Sequence, residues 1–178
     1  MRLVYNMLLA VAAVPGLLFF LLKMLFTGKY RHSFLQKLGA RQDHLPAGIA
    51  PGRRVWVHAV SVGEVTAAAP VVAALKAKRP DVRIIFSTST ETGQGMAQRL
   101  VRGADAFIYF PLDLPFSVGH MLDVVRPEVF VLVETELWPN FLAACRGRNI
   151  SAVMVNGRLS PRSFSRYRRT RFFWRQVL

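Results

Sequence analysis

The chain has 178 residues, of which 52% are hydrophobic, and its formal net charge is +14. This length is sufficient for one domain of ordinary size and a small additional segment. The single cysteine, Cys145, excludes an internal disulfide, and the charge is too localised for a surface that is basic all over, because residues 158–178 alone contribute +7.

The N-terminus predicts a single membrane-anchoring helix over residues 1–26. Lys23 is the only charge between Leu3 and Phe26, and a helix of that length rises about 36 Å, enough to cross a hydrocarbon core of about 30 Å. A cleaved signal peptide is the alternative, but no Ala-x-Ala-like cleavage site follows the run. Because the basic residues follow the apolar run, the positive-inside rule places the rest of the chain in the cytoplasm.

Residues 27–52 are predicted to form a connector. It contains a short amphipathic turn over 33–39 and a Pro- and Gly-rich stretch over 45–52. Apolar, β-branched strands then alternate with amphipathic helices, which predicts an α/β domain over residues 53–178 with a parallel sheet covered on both faces, a Rossmann-like half. The expected strands are 54–59, 83–87, 106–110, 128–134 and 151–156, and the expected helices are 63–78, 93–102, 116–125, 138–146 and a final basic helix.

The segment that follows the first strand contains a small-residue turn, with Ser61 and Gly63, and then a lone carboxylate, Glu64, at the start of a helix. Unpaired N–H groups and the helix dipole stabilise an anion there. In an open α/β sheet this position lies at the carboxyl edge of a strand, where ligands bind. A Glu that only complements the dipole is the alternative.

A hydroxyl-rich turn follows the second strand and includes Ser89, Thr90 and Thr92. Hydroxyls and free N–H groups at a helix N-terminus suit a phosphate or a sugar, although the turn matches neither a P-loop nor the dinucleotide-binding fingerprint. Helix capping by Ser89 or Thr90 is the alternative.

Two carboxylates, Glu134 and Glu136, follow the fourth strand. In extended chain they point the same way, and like charges this close are unfavourable without a function or a cationic partner. Catalysis, pairing with an Arg and helix capping all remain open. Arg158, after the fifth strand, is expected at the same edge, where it pairs with either carboxylate or binds an anionic ligand.

The basic C-terminal segment mixes arginines with aromatic residues. This pattern predicts contact with an anionic membrane surface, in preference to nucleic acid, because the chain already carries a predicted anchor. The residues expected to make the contact are Arg166, Arg168, Arg169 and Trp174. A solvated basic face is the alternative. The four histidines are scattered and show no metal-ligand spacing.

Five segments occur in a characteristic order: 58–64 (HAVSVGE), 87–93 (STSTETG), 110–113 (FPLD), 133–140 (VETELWPN) and 156–160 (NGRLS). Together with the N-terminal apolar run they resemble the N-terminal half of the 3-deoxy-D-manno-octulosonic acid (Kdo) transferases of lipopolysaccharide synthesis. The resemblance covers essentially the whole chain.

This resemblance implies a two-domain GT-B glycosyltransferase fold attached to the cytoplasmic face of the inner membrane. It implies transfer of Kdo from CMP-Kdo to the lipid A precursor, without a metal, a cofactor or a covalent intermediate. Glu64 corresponds to the family's general base, which takes the proton of the acceptor glucosamine 6-hydroxyl, and Glu134, more than Glu136, is similar to a second important acid.

The chain departs from the family pattern at Gln94 and Gly157, where Ser and Ala are more usual. The second Rossmann-like domain, which holds the nucleotide sugar in this fold, is absent from residues 1–178. We therefore expect no Kdo transfer by this chain alone, whether it is a fragment, a truncated gene product or half of a split enzyme. A membrane-anchored, non-catalytic glycolipid-binding or adapter protein is the alternative function, and a nucleic-acid-binding module is disfavoured.

Overall fold

The structure, a computed structural model, describes residues 2–27, 31–39 and 52–177. The side chains of residues 2, 17–27, 31–32 and 176–177 are outside this description. Two helices come first, α1 (Arg2–Thr27) and α2 (Arg31–Lys37). Most of the predicted connector lies outside the described residues.

Strands and helices alternate through the rest of the chain, as the sequence predicts. The elements are β1 (Arg54–His58), α3 (Val62–Lys78), β2 (Arg83–Thr88), α4 (Glu91–Leu100), β3 (Ala106–Tyr109), α5 (Pro115–Val125), β4 (Val129–Val133), α6 (Pro139–Gly147), β5 (Ser151–Val155), α7 (Pro161–Arg169) and α8 (Arg171–Val177).

All five strands are parallel and lie in the order β3-β2-β1-β4-β5. This confirms the parallel, Rossmann-like α/β fold. Apolar side chains fill both sides of the sheet, with Trp56 and Phe130 in one core cluster and Phe86 in the other. The strand order reverses direction between β1 and β4, and such a switch point opens a crevice at the carboxyl ends of the two strands.

Two details of the predicted domain are wrong. The sheet is not covered throughout, because four of the five residues of β5 are exposed, including Val153 at 46% and Met154 at 42%. The final basic helix is two helices, α7 and α8, which meet at Thr170. The predicted helix over 63–78 continues through Pro70, although proline is unfavourable inside a helix. Ala68 and Val72 on either side of Pro70 are buried in the core, and this tertiary packing overrides the local propensity.

The predicted membrane anchor over residues 1–26 is not supported. Among the described residues, no helix has both the length and the apolar character needed to span a membrane. The start of α1 instead contacts the α/β domain. The Tyr5 hydroxyl donates a hydrogen bond to the Asp113 carboxylate at 2.8 Å, and the Asn6 side-chain oxygen accepts one from the Asn140 amide at 2.6 Å.

Candidate functional site

The candidate site lies at the carboxyl edge of the sheet, where β1 and β4 are adjacent. His58 at the end of β1 pairs with Leu132 near the end of β4. Glu64 stands in the first turn of the helix after β1, and Glu134 follows β4 directly. The topology therefore brings the acids of two distant sequence motifs to the switch point.

The Glu64 carboxylate folds back onto its own loop. It accepts a hydrogen bond from the Val60 N–H at 2.6 Å and one from the Ser61 hydroxyl at 3.2 Å. The Glu64 residue is only 8% exposed. Burial raises the pKa of its carboxyl, the two hydrogen bonds lower it, and the charges of Glu134 and Glu136 raise it again, with a net shift upward.

Gly63 lies directly before Glu64 in the first turn of α3. A Cβ built on Gly63 meets no atom within 4 Å, so close packing among the described residues does not require a glycine at this position. Ser61 is the N-cap residue of α3, but its side chain makes no capping hydrogen bond to the helix and donates to Glu64 instead. The alternative that Glu64 serves its own helix start is thus partly realised, through Val60 and Ser61.

The turn that carries Glu134 and Glu136 differs from the predicted extended chain. Glu134 has a φ of 64°, in the left-handed region that non-glycine residues rarely adopt. Residues 134–136 therefore do not form the predicted extended chain, although Glu134 and Glu136 line one cavity. Burial raises the pKa of the Glu136 carboxyl, and the charge of Glu134 raises it further.

Thr135 connects this turn to the segment after β5. The backbone N–H of Arg158 donates a hydrogen bond to the Thr135 hydroxyl at 3.0 Å, and that hydroxyl donates to the Arg158 carbonyl. Among the described residues the Arg158 guanidinium makes no ion pair with Glu134 or Glu136, so the predicted pairing is not formed. The polar cavity at this point has a volume of about 210 Å³ and is lined by Glu134, Thr135, Glu136, Arg158, Leu159, Ser163 and Tyr167.

The predicted hydroxyl-rich turn performs the capping role that was its alternative. The Thr90 hydroxyl accepts a hydrogen bond from the Gly93 N–H at 3.0 Å and caps α4. The Thr92 hydroxyl lies 3.4 Å from that of Thr90. Ser89 reaches the Glu64 loop by its backbone N–H, which donates to the Val60 carbonyl at 3.3 Å. These three residues do not line the cavity next to Glu134, so their predicted substrate contacts stay predictions.

The C-terminal arginines and Trp174 are in different environments. Arg166 and Arg169 line an exposed groove on α7 with Arg162 and Ser165, with a volume of about 400 Å³, and Arg168 is exposed on the same helix. Trp174 is half-buried and packs against the core, and its indole N–H donates to the Thr170 hydroxyl at 3.1 Å. Their predicted role at a membrane surface stays a prediction.

Sequence reasoning missed a buried polar contact at the start of α6, the helix that follows the turn with Glu134 and Glu136. The Asp113 carboxylate accepts hydrogen bonds from the backbone N–H groups of Asn140 at 3.0 Å and Phe141 at 2.8 Å, so it caps the start of α6. Asp113 and Asn140 both belong to the recognised motifs, but their pairing across 27 residues gives no local signal. Ser163 and Tyr167 at the cavity were also missed.

Two other ionisable side chains, His58 and Cys145, are buried, and burial favours the neutral form of each. His58 is fully buried and stacks on Phe110 with ring centroids 3.8 Å apart, and burial lowers its pKa to about 3. Cys145 is buried in the core, which raises the pKa of its thiol to about 12 and agrees with a packed thiol. Within the described part of the chain, no three His, Cys, Asp or Glu residues are grouped to hold a metal ion.

Comparisons of the sequence with known proteins point to one family. The family model for 3-deoxy-D-manno-octulosonic-acid transferase matches residues 30–178. A 3-deoxy-D-manno-octulosonic acid transferase of Haemophilus influenzae is 36% identical over 166 residues, which are 93% of this chain and 38% of the relative. The transferase of Chlamydia pneumoniae is 31% identical, over 92% of this chain and 37% of its own length.

A plant protein is similar as well. A probable mitochondrial 3-deoxy-D-manno-octulosonic acid transferase of Arabidopsis thaliana is 32% identical over 71% of this chain. The bacterial relatives show that the chain spans less than two-fifths of the length of the curated proteins it matches.

Proposed function

Because the chain belongs to the 3-deoxy-D-manno-octulosonic acid (Kdo) transferase family, we propose that it forms the N-terminal part of an inverting glycosyltransferase. In this proposal the chain binds the acceptor and carries the general base. The enzyme moves Kdo from CMP-Kdo to the lipid A precursor. A non-catalytic glycolipid-binding or adapter protein is not favoured, since the relatives that cover most of the chain are named as transferases.

One observation carries the proposal: Glu64 is a mostly buried acid at the switch point, and its pKa is raised. A carboxylate with a raised pKa is a stronger base, and proton transfer is most efficient when the pKa of the base approaches the operating pH. The position follows from topology, because β1 and β4 are neighbours and both acidic motifs follow these two strands.

The proposed reaction is a direct displacement. The ionised Glu64 carboxylate takes the proton of the acceptor 6-hydroxyl, and the acceptor oxygen forms a bond to the anomeric carbon of Kdo. The bond from that carbon to the CMP phosphate oxygen breaks, and CMP leaves with the electron pair. Val60 and Ser61 each bond a different oxygen of the Glu64 carboxylate in the free protein, so each oxygen keeps a lone pair that can accept from the acceptor hydroxyl.

Glu134, Glu136 and Arg158 form the proposed wall of the acceptor site. Burial is the main reason that the pKa of Glu64 is raised, and the charges of the two acids add to it. Arg158 is available for an anionic group of the acceptor. Their cavity of about 210 Å³ is smaller than the roughly 300–1,000 Å³ of typical small-molecule sites. It therefore suits one wall of a larger cleft, whose other wall holds CMP-Kdo.

We also propose that the protein acts at the cytoplasmic face of the inner membrane. Tyr5 and Asn6 bind α1 to the domain, and the other side of the helix exposes apolar side chains. These are Leu3, Val4, Met7, Leu8, Val11 and Val14, each at least 58% exposed. The α7 arginines would add attraction to anionic lipids, which salt weakens. Flotation with anionic vesicles at rising salt tests this, and binding that salt does not weaken contradicts the arginine contribution.

The proposed reaction is tested in a chimaera. It joins this chain to the part of the Haemophilus influenzae relative that lies outside the segment matched by this chain, which is called the unmatched remainder. We expect Glu64→Gln to lower CMP release from CMP-Kdo and lipid A precursor by about 10²–10⁴-fold. The control is Glu91→Gln, which changes a carboxylate in the first turn of α4 and should leave turnover unchanged. Turnover retained by Glu64→Gln contradicts the proposal, as does an equal loss in the control.

A further inference from the structure

The Tyr5 side chain on α1 contacts two separate parts of the α/β domain. Its hydroxyl donates a hydrogen bond to the Asp113 carboxylate at 2.8 Å, in the loop that leads into α5. Its ring lies 6.1 Å, between centroids, from the ring of Phe173 on α8. Each of these contacts continues, through other residues, to one side of the cavity that contains Glu134 and Glu136.

The first route runs through the start of α6. Trp138, the N-cap residue of α6, makes no side-chain capping bond, so the first N–H groups of the helix need another acceptor. The Asp113 carboxylate accepts hydrogen bonds from two of them, including that of Asn140. The Asn140 amide in turn donates to the Asp113 carbonyl and to the Asn6 side-chain oxygen, each at 2.6 Å. The start of α1 therefore helps to fix where α6 begins, and the N-cap of α6 is only two residues after Glu136.

The second route runs through aromatic side chains of α7 and α8. Phe173 meets Trp174 edge to face, with ring centroids 5.1 Å apart and an interplanar angle of 78°. Trp174 meets Tyr167 in the same way, at 5.1 Å and 72°, which is a preferred arrangement for aromatic pairs. Tyr167 lines the cavity together with Ser163. Tyr5 is thus joined to the α7 side of the cavity by an unbroken series of ring contacts.

We propose that Tyr5, supported by Asn6, is a positioning residue for the acceptor. It holds the turn with Glu134 and Glu136 at a fixed distance from Tyr167 on α7. This role rests on the proposed function, in which the cavity forms part of the acceptor site. The cavity has a volume of only about 210 Å³, and a displacement of about 1 Å in a reacting site can lower the rate by about 10²-fold. A residue outside the cavity can therefore control how well the acceptor fits.

The alternative is that these contacts only attach α1 to the domain. The two sides of the cavity are also joined directly, by the hydrogen bonds between Thr135 and Arg158, and in this alternative that connection is sufficient. The loss of the Tyr5 hydroxyl would then change the residues next to Tyr5 and leave the cavity as it was. A positioning role requires that the change reaches both sides of the cavity, and contiguous contacts are the physical means by which it does so.

Tyr5→Phe tests the role by kinetics in the chimaera with the unmatched remainder. It removes the hydrogen bond to Asp113 and keeps the ring. We expect the KM for the lipid A precursor to rise about threefold to tenfold, while the KM for CMP-Kdo stays the same, because the other part of the chimaera holds the donor. An equal rise in both KM values, or a rise in neither, overturns the positioning role.

Tyr109→Phe is the matched control. It removes the hydroxyl of another half-buried tyrosine, and this hydroxyl makes no hydrogen bond among the described residues. Both KM values should therefore stay unchanged. A rise in the KM for the acceptor equal to that in Tyr5→Phe overturns the proposal, because the effect would then not depend on the bond to Asp113.

A pair of phenylalanine variants tests the aromatic route in the same way. Phe173→Leu removes the ring that joins Tyr5 to Trp174 and should raise the KM for the acceptor. Phe172→Leu changes the neighbouring residue, which is 66% exposed, and should leave that KM unchanged. Both variants are assayed well below their melting temperatures. No rise in Phe173→Leu, or an equal rise in Phe172→Leu, overturns the part of the proposal that concerns α7.

Nuclear magnetic resonance of this chain by itself gives a readout that needs no substrate. In Tyr5→Phe we expect the backbone amide signals of Glu136 and Tyr167 to shift, one on each side of the cavity, and in Tyr109→Phe we expect them to stay in place. Shifts confined to the immediate neighbours of Tyr5 overturn the proposal. If the parent chimaera does not transfer Kdo, the proposed function fails, and the amide signals still decide the positioning role.

Discussion

The Glu64 carboxylate accepts a hydrogen bond from the Val60 N–H at 2.6 Å, four residues before it in the chain. The loop that presents the proposed base therefore also restrains it. A second hydrogen bond, from the Ser61 hydroxyl at 3.2 Å, has the same effect. Both bonds favour the ionised carboxylate, whereas burial favours the protonated form, so the pKa of Glu64 is set by opposing contributions.

Ser61→Ala should move the pH dependence of transfer in a known direction. Without the Ser61 hydroxyl, the pKa of Glu64 rises further, because one hydrogen bond to its charged form is lost. The acidic limb of kcat/KM in the chimaera should then shift to higher pH. Thr66→Ala is the control, since the Thr66 hydroxyl donates to the Val62 carbonyl and makes no hydrogen bond to Glu64 among the described residues. An acidic limb that does not move in Ser61→Ala would mean that Glu64 does not set it.

Glu134→Gly should stabilise the protein and reduce transfer. Glu134 has a φ of 64°, a conformation that is unfavourable for non-glycine residues by roughly 1–3 kcal/mol, while glycine costs roughly 0.5–1 kcal/mol through the unfolded chain. We expect a net gain of about 1 kcal/mol in the free energy of unfolding, measured by urea denaturation.

Glu134→Gln separates backbone strain from charge in that experiment. It removes the carboxylate and its repulsion on Glu64 and Glu136, and it keeps a side chain in the left-handed region. If Glu134→Gln stabilises the protein as much as Glu134→Gly does, charge repulsion and not backbone strain is the source. A loss of stability in Glu134→Gly contradicts the strain argument.

Most of the fold could be predicted because its signals are local. The alternation of apolar runs and helices located every strand of the described sheet to within one residue at each end. The exposure of β5 could not be predicted, since the sequence of an apolar strand does not show whether other elements cover it. The break at Thr170 was also missed, because the charged and aromatic residues on both sides of it are compatible with one continuous helix.

The site was predictable where it depends on strand ends and not where it depends on distant pairs. Glu134 directly follows β4, and Glu64 lies in the first turn of the helix after β1. The Rossmann-like pattern brings such positions to one edge of the sheet. The conformation of Glu134 depends on how the turn meets β5, through Thr135 and Arg158. The contact of Asp113 with Tyr5 joins residues 108 positions apart, and no periodicity encodes it.

The two glycines of α4 should respond to alanine in opposite directions. A Cβ on Gly95 meets no atom within 4 Å, so Gly95→Ala should stabilise the helix by about 0.5–1 kcal/mol. A Cβ on Gly93 would lie 2.7 Å from the Thr90 hydroxyl oxygen, so Gly93→Ala should disrupt the cap and destabilise by about 1 kcal/mol. Thermal unfolding of both variants checks the signs.

Gly93→Ala should also affect the base. Its Cβ would lie 3.4 Å from the Val60 carbonyl oxygen, and Val60 holds Glu64 through its N–H. Transfer by the chimaera should therefore fall in Gly93→Ala and stay unchanged in Gly95→Ala. Equal turnover in the two variants, each measured well below its melting temperature, would separate the α4 cap from the Glu64 loop.

Tyr5→Phe should weaken the attachment of α1 to the domain, and more so at neutral than at acidic pH. The Tyr5 hydroxyl donates to the buried Asp113 carboxyl at 2.8 Å. Burial raises the pKa of Asp113, and the hydrogen bonds from Asn140, Tyr5 and Phe141 lower it in part, with a net shift upward. Loss of one donor should cost about 1–2 kcal/mol when the carboxyl is ionised.

The sign of the pH effect follows from linkage. A carboxyl whose pKa is raised by folding contributes stability at pH values below its unfolded pKa, and this contribution is lost as the pH rises through the folded pKa. The Tyr5 bond favours the ionised form, so its removal matters most above the folded pKa and least in acid. Urea denaturation of the wild type and Tyr5→Phe across this range measures the difference. In an Asp113→Asn background the pH dependence of the Tyr5→Phe effect should vanish, and its persistence there would assign the effect to another group.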